Sequence, residues 1–328
     1  MKKLFIILAL LLITLRIAAQ YGPSNGSGGI INGPYLLETV PTKRIIPYEY
    51  VREADVIWSR RIWQSIDLRE KINQPIYFPF DEYDASGNWQ KNASRWSLWT
   101  ILKTHILNGD LTVFSPYNPL QFDITDGDQL KYPVEHKPGS DYDSDSTYRN
   151  ELFSYLGSLG PPPTIPCVAI NGEDSTRILA DGTIEFVYPP RDTVWLLSQD
   201  IIQYRIKEDW FFDKERSVMD VRILAIAPVT YNRDDQGQIT GLKELFWLYF
   251  PHCRFVLNNY YVFNEHNDAQ WMSFDDLFWK RRFTSVIYKE SNVYDRKIET
   301  YKTGVDALFE AEKVKEEIRT IELDVWNF

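Results

Sequence analysis

The chain has 328 residues, with 36 Lys+Arg against 46 Asp+Glu, a formal net charge of -10 and an isoelectric point near 5.0. That balance excludes the basic stripe that binding to a phosphate backbone requires, so nucleic acid is not an expected partner. Aromatic residues make up 15% of the chain, more than a core needs, and the surplus favours protein contacts or sugar stacking.

Residues 1–19 read as a signal peptide. Lys2 and Lys3 supply the positive end, and the apolar run from Leu4 to Leu15 is shorter than the roughly 20 residues a bilayer-spanning helix needs. Arg16 closes the run, and Ile17-Ala18-Ala19 offers a small-residue cleavage site without a cysteine for lipid attachment. No later segment is long and apolar enough to span a membrane, so a soluble, exported mature chain is expected. Residues 20–47, rich in Gly, Pro, Ser and Asn, read as an extended arm.

Trp58, Ile62 and Ile66 recur at every fourth position, which predicts a helix over 48–73 that ends before Pro75. Ile76-Tyr77-Phe78 is expected to be a strand. A second helix is predicted from Ser94 or Ser97 to Asn108, stopped by Gly109, followed by a short strand over 111–114. Residues 118–166 read as a long acidic, proline-rich surface excursion with one short helix near 151–156. Beyond it, Ile202, Tyr204 and Ile206 alternate with Gln203, Arg205 and Lys207, the pattern of a half-buried strand. Residues 221–225 and 242–250 are expected to be strands, the latter reached through a turn over 232–241. Pro251 suits the first turn of a helix running to about 263, and Ser273 with Asp276 forms a capping pattern for a helix reaching Arg281. A strand over 283–288 and an amphipathic helix over 304–320, bearing Val305, Leu308, Phe309 and Ile318, close the chain. The fold class is therefore α+β: helices and antiparallel strands in one compact body, with an N-terminal arm and a C-terminal amphipathic helix.

No spacing carries recognisable catalytic chemistry. Asp141, Asp143 and Asp145 begin like a calcium loop, but Ser146 stands where Gly is needed and Leu152 where a bidentate Glu is needed. His252-Cys253 lacks a second pair of zinc ligands, and the four histidines lie in no triad motif. Asp275 and Asp276 could be drawn as a glycosidase pair, but the preference of acidic residues for a first helical turn explains them more simply. No cofactor or metal is expected. Cys167 and Cys253 are disulfide candidates in an oxidising compartment, with two buried thiols or pairing to a partner's cysteine as the alternatives. A bond between them would contribute roughly 4 kcal/mol.

The segment 242–301 is crowded with aromatic and charged residues. Trp271, Phe278, Trp279, Arg281 and Arg282 are the candidates for a partner interface, because rigid aromatics interleaved with arginine are typical interface anchors. Core packing claims some of these aromatics, and sugar stacking is the alternative for the rest.

Several stretches resemble the GldN/PorN family of gliding-motility and type IX secretion proteins from Bacteroidetes. They include Val56-Ile57-Trp58-Ser59-Arg60-Arg61-Ile62-Trp63, Ile66-Asp67-Leu68-Arg69-Glu70-Lys71-Ile72-Asn73-Gln74-Pro75 and Tyr204-Arg205-Ile206-Lys207-Glu208-Asp209-Trp210. Pro251-His252-Cys253-Arg254, Phe274-Asp275-Asp276-Leu277-Phe278 and Asn292-Val293-Tyr294-Asp295-Arg296 extend the likeness in order along the chain. The likeness makes 48–302 the family domain and 303–328 a C-terminal helix and tail. It implies a non-enzymatic structural subunit of a periplasmic ring, a homo-oligomer that assembles with an outer-membrane lipoprotein. An exported glycan-binding module or a cryptic glycoside hydrolase is the alternative.

Overall fold

The computed structural model describes residues 45–326, apart from 85–87, 92–94, 120, 122–124, 141–143, 160–164, 168–175, 179–183, 190–192, 234–237 and 265–271. The signal peptide, nearly all of the arm, the aspartates at 141 and 143, the proline run 161–163 and Trp271 lie outside the described residues.

Runs of β-branched and aromatic residues build one eight-stranded sheet. Its strands are β1 (Val56–Asp67), β2 (Val113–Phe114), β3 (Pro133–Val134), β4 (Ile201–Asp213), β5 (Val218–Arg233), β6 (Ile239–Glu244), β7 (Trp247–Tyr249) and β8 (Val286–Glu290). The order is β8-β1-β4-β5-β7-β2-β3, with β6 pairing the far end of β5, and the ladders are antiparallel. Around it lie helices α1 (Leu98–Leu107), α2 (Ser146–Leu156), α3 (Phe250–Leu257), α4 (Phe274–Trp279) and α5 (Val305–Trp326). The α+β class expected from the sequence is the class observed.

The register Ile62↔Glu208, Ile66↔Tyr204 and Ile206↔Ile226 aligns one face of the central strands. At one end of that face Ile66, Tyr204 and Ile206 join the main core with α1, α3 and α4. At the other end Ile62 and Ile287 pack under Ala311, Val314 and Ile318 of α5. Side chains alternate across a strand, so Trp63 faces the opposite way, where it meets Ala225, Ala227 and Trp247.

Four expectations are corrected. The segment 56–67 is a strand, not part of a helix: a recurrence every four residues is also a multiple of two, so Trp58, Ile62 and Ile66 share a strand face as readily as a helix face. Pro75 does not end a helix; it sits in the first turn of a short one, Gln74–Tyr77, which replaces the strand expected at 76–78. The excursion 118–166 is not merely surface. Its Val134, Leu152 and Leu156 enter the main core, and α2 begins at Ser146 because Asp145 accepts the N–H groups of Thr147 and Tyr148. Gly127 of the same segment lies so close to Pro116 that a Cβ would clash at 2.4 Å. Finally, β4 is covered on both faces, with Arg205 and Lys207 buried along with Tyr204 and Ile206. Asp128 makes the burial of Lys207 possible, its backbone carbonyl accepting from Lys207 Nζ at 2.7 Å and its carboxylate at 3.3 Å, while Glu244 pairs with Arg205.

The remaining elements lie where the sequence places them, but β5 runs well beyond the expected 221–225 and β4 well beyond the alternation at 202–207. Ser97 caps α1 through the Thr100 N–H, and Gly109 ends it at φ 81°. β6 and β7 return along β5 as the expected hairpin, while α3 stops at Leu257, earlier than expected.

Candidate partner interface

Helix α4 is set by a reciprocal cap. Ser273 Oγ accepts the Asp276 N–H at 3.1 Å, and the Asp276 carboxylate accepts the Ser273 N–H at 3.4 Å. The cap leaves Asp275 free to point at α3. There Arg254 donates from Nε to Oδ1 at 2.7 Å and from Nη2 to Oδ2 at 3.1 Å. Asp275 and Asp276 are thus engaged in an ion pair and a cap, as the position of both in a first helical turn favours.

The end of α4 carries a second device. The Arg282 N–H reaches the Leu277 carbonyl at 3.0 Å and the Arg281 N–H reaches the Phe278 carbonyl at 3.1 Å, the double closure of a Schellman motif. Its left-handed position, usually glycine, is Arg281 at φ 50°. The side chain accounts for the choice. Arg281 donates two hydrogen bonds to Glu208, which is fully buried on β4 and also accepts from Gln64 Nε2 at 2.8 Å and Trp210 Nε1 at 3.0 Å. Glycine could make the turn but could not neutralise that carboxylate.

The interface candidates therefore divide. Phe278 is 1% exposed and belongs to the main core, edge-on to Phe250, so as a direct partner contact it is corrected. Arg281 is turned inward onto Glu208, and its guanidinium lies 5.2 Å from the Trp210 ring centroid. Arg282 donates to Asn264 at 3.4 Å. Trp279 remains 44% exposed and stacks on Tyr48 with ring centroids 5.6 Å apart. Cys167 and Cys253 are both free thiols; Cys253 is fully buried in the main core, and burial pushes its pKa up to about 12.

Sequence reasoning missed the other half of this surface. The Arg254 guanidinium lies 4.6 Å from the Tyr48 ring centroid and 4.8 Å from the Trp279 ring centroid. The Arg222 guanidinium of β5 lies 5.5 Å from the same Tyr48 ring centroid and 5.0 Å from the Phe211 ring centroid. Burial pushes the Tyr48 phenol up to about 12, against the opposing pull of Arg254. Beside these groups is a cleft of about 250 Å³ lined by Tyr48, Met219, Asp220, Arg254, Asp275 and Trp279. No local pattern links positions 48, 222, 254 and 279, so only the fold could assemble them.

Among the described residues no group of three or more His, Cys, Asp or Glu could hold a metal ion, and no helix is long and apolar enough to cross a membrane. What the surface offers is cation–π stacking and charge-assisted hydrogen bonding, the chemistry of protein contact.

The family described as gliding motility associated protein GldN matches residues 51–327. The chain belongs to the GldN family. The match takes in the whole sheet, the Arg254–Asp275 pair and helix α5. As a GldN-family protein it is a component of the gliding-motility and type IX secretion machinery. No curated protein matches the chain.

Proposed function

We propose that this GldN-family chain is a non-enzymatic structural subunit, exported to the periplasm, that multimerises into a ring and docks on an outer-membrane lipoprotein of the same machinery. The family match over residues 51–327 carries this reading. The signal-like residues 1–19 supply the export step, and a partner's lipid anchor would hold the chain at the membrane. The exposed Trp279 beside the Arg254 and Arg222 guanidinium groups supplies contact chemistry.

Affinity capture of the tagged chain from native envelopes, followed by mass spectrometry, tests the partner. A stoichiometric outer-membrane lipoprotein is expected, and its absence from gently solubilised envelopes would sink the docking claim. Mass photometry of the captured material tests the ring, with multiples of the chain expected beyond a dimer.

A further inference from the structure

Residues 46–49 join no β-ladder, yet side chains of the body hold them at four points. Arg254 Nη2 donates to the Ile46 carbonyl at 2.7 Å. Tyr48 stacks on Trp279 and takes Arg254 and Arg222 at its ring. Arg222 also donates to the Glu49 carbonyl, and Arg216 pairs with the Glu49 carboxylate. Each holding residue lies within the family match, which begins at 51, whereas the held segment precedes it. The body of the fold therefore builds a socket of three arginines and a tryptophan around this strap.

The joint between strap and domain is short and open. Tyr50 is 88% exposed, Val51 is half-buried, and at Arg52 the chain is fixed again by a 2.6 Å bond to Asp55. Ile46 is itself exposed, so polar and cation–π contacts hold the strap more than apolar burial does. Such contacts re-form unchanged on an identical socket, and only the joint would need new dihedral angles. That is the condition under which exchange of an element between copies costs little.

We propose that residues 46–49 are an exchangeable strap, and that the socket at Arg216, Arg222, Arg254 and Trp279 receives the same segment from a second copy of this chain. The occupant is chosen by fit: this segment is the peptide whose charge and ring complementarity to the socket is on display. Strap donation in one direction is a heterologous contact, which closes into a ring when the rotation between copies closes. The reach is limited. At roughly 3.5 Å per residue, the two-residue joint requires the acceptor's socket to place Glu49 within about 10 Å of the donor's Arg52. The inference rests on the self-assembly part of the proposed function and names the contact that would make it.

The test places photoreactive p-benzoylphenylalanine at Tyr48 of the mature chain, keeping an aromatic ring in the socket. This donor is mixed one to one with unmodified, 15N-labelled chain before assembly, and the multimer is irradiated and digested. With exchange, about half of the crosslinks to the peptides around Arg254 and Trp279 carry the label, and Trp279→Ala in the labelled chain lowers that share several-fold. Multimers whose crosslinks stay wholly within unlabelled donor peptides would still permit donor-to-donor exchange, so the donor is also run in tenfold dilution. Crosslinks that remain unlabelled there overturn exchange and leave the ring reading standing. Absence of crosslinks at the socket overturns the strap itself, and absence of multimers overturns both readings.

Discussion

Arg254 and Asp275, on neighbouring helices, form a bidentate pair with 4% and 10% of their side chains exposed. The same guanidinium carries Ile46, Tyr48 and Trp279, so one residue ties α3 to α4 and both to the segment entering the domain. Arg254→Met would leave the Asp275 carboxylate buried without its cation. A loss of about 3–5 kcal/mol is expected in urea denaturation. The double variant Arg254→Met/Asp275→Leu should recover much of it, because the isolated charge is then gone. A single-variant cost below about 1 kcal/mol would show that water reaches the pair.

Neighbouring aromatics on α4 should behave differently. Phe278→Ala removes a ring packed against Phe250 and Phe283, and about 3–5 kcal/mol is expected from the cavity. Trp279→Ala loses one stacked ring and one cation–π contact, and about 1–2 kcal/mol is expected. Equal costs in chemical denaturation would contradict the division between core and surface.

Lys103 gives a pH dependence. It is buried on α1, with its ammonium 4.3 Å from the Trp89 ring centroid, and burial lowers its pKa to about 8 against the opposing effect of Asp81 and Asp200. The unfolded chain, at the ordinary value of 10.5, binds more protons between these two values, so the Lys103 contribution makes stability rise from about pH 8 to 10.5. Below pH 8 both states are protonated and the full penalty is present. Lys103→Met should flatten that rise and stabilise the protein near pH 7 by up to about 3 kcal/mol. The Leu196 carbonyl that accepts from Lys103 keeps a donor in the variant, since Trp99 Nε1 also reaches it at 3.0 Å. Parallel stability–pH curves for the two proteins would refute this assignment.

Helix α5 presents two faces of unequal weight. Ile318 is buried against Ile62 and Ile287, whereas Phe309 is 70% exposed. Ile318→Ala should cost about 2–4 kcal/mol and Phe309→Ala less than about 0.5 kcal/mol in the isolated subunit. If Phe309 is covered in the proposed multimer, its substitution should lower multimer yield in mass photometry while thermal stability stays unchanged.

Local signals were legible wherever the chemistry was local. Ser97, Gly109, Pro251 and the Ser273–Asp276 cap act within a few residues of themselves, and each marks a helix end in the structure. The turn at Arg281 was not legible, because the reason for an arginine at a left-handed position is Glu208, a residue 73 positions away. The period of β1 misled for a simpler reason. Four-residue spacing satisfies a strand and a helix alike, and pairing with β4 and β8 decided between them.

By itself the sequence determined the class, the hairpin and the helix caps, since each depends on residue type and short spacing, and its likeness over residues 51–327 carried the family. Only the tertiary structure decided that Phe278 is core, that Arg281 faces inward, and that Tyr48 meets Arg222, Arg254 and Trp279. Burial and charge pairing are properties of groups brought together across long stretches of chain, and no window along the sequence contains both partners.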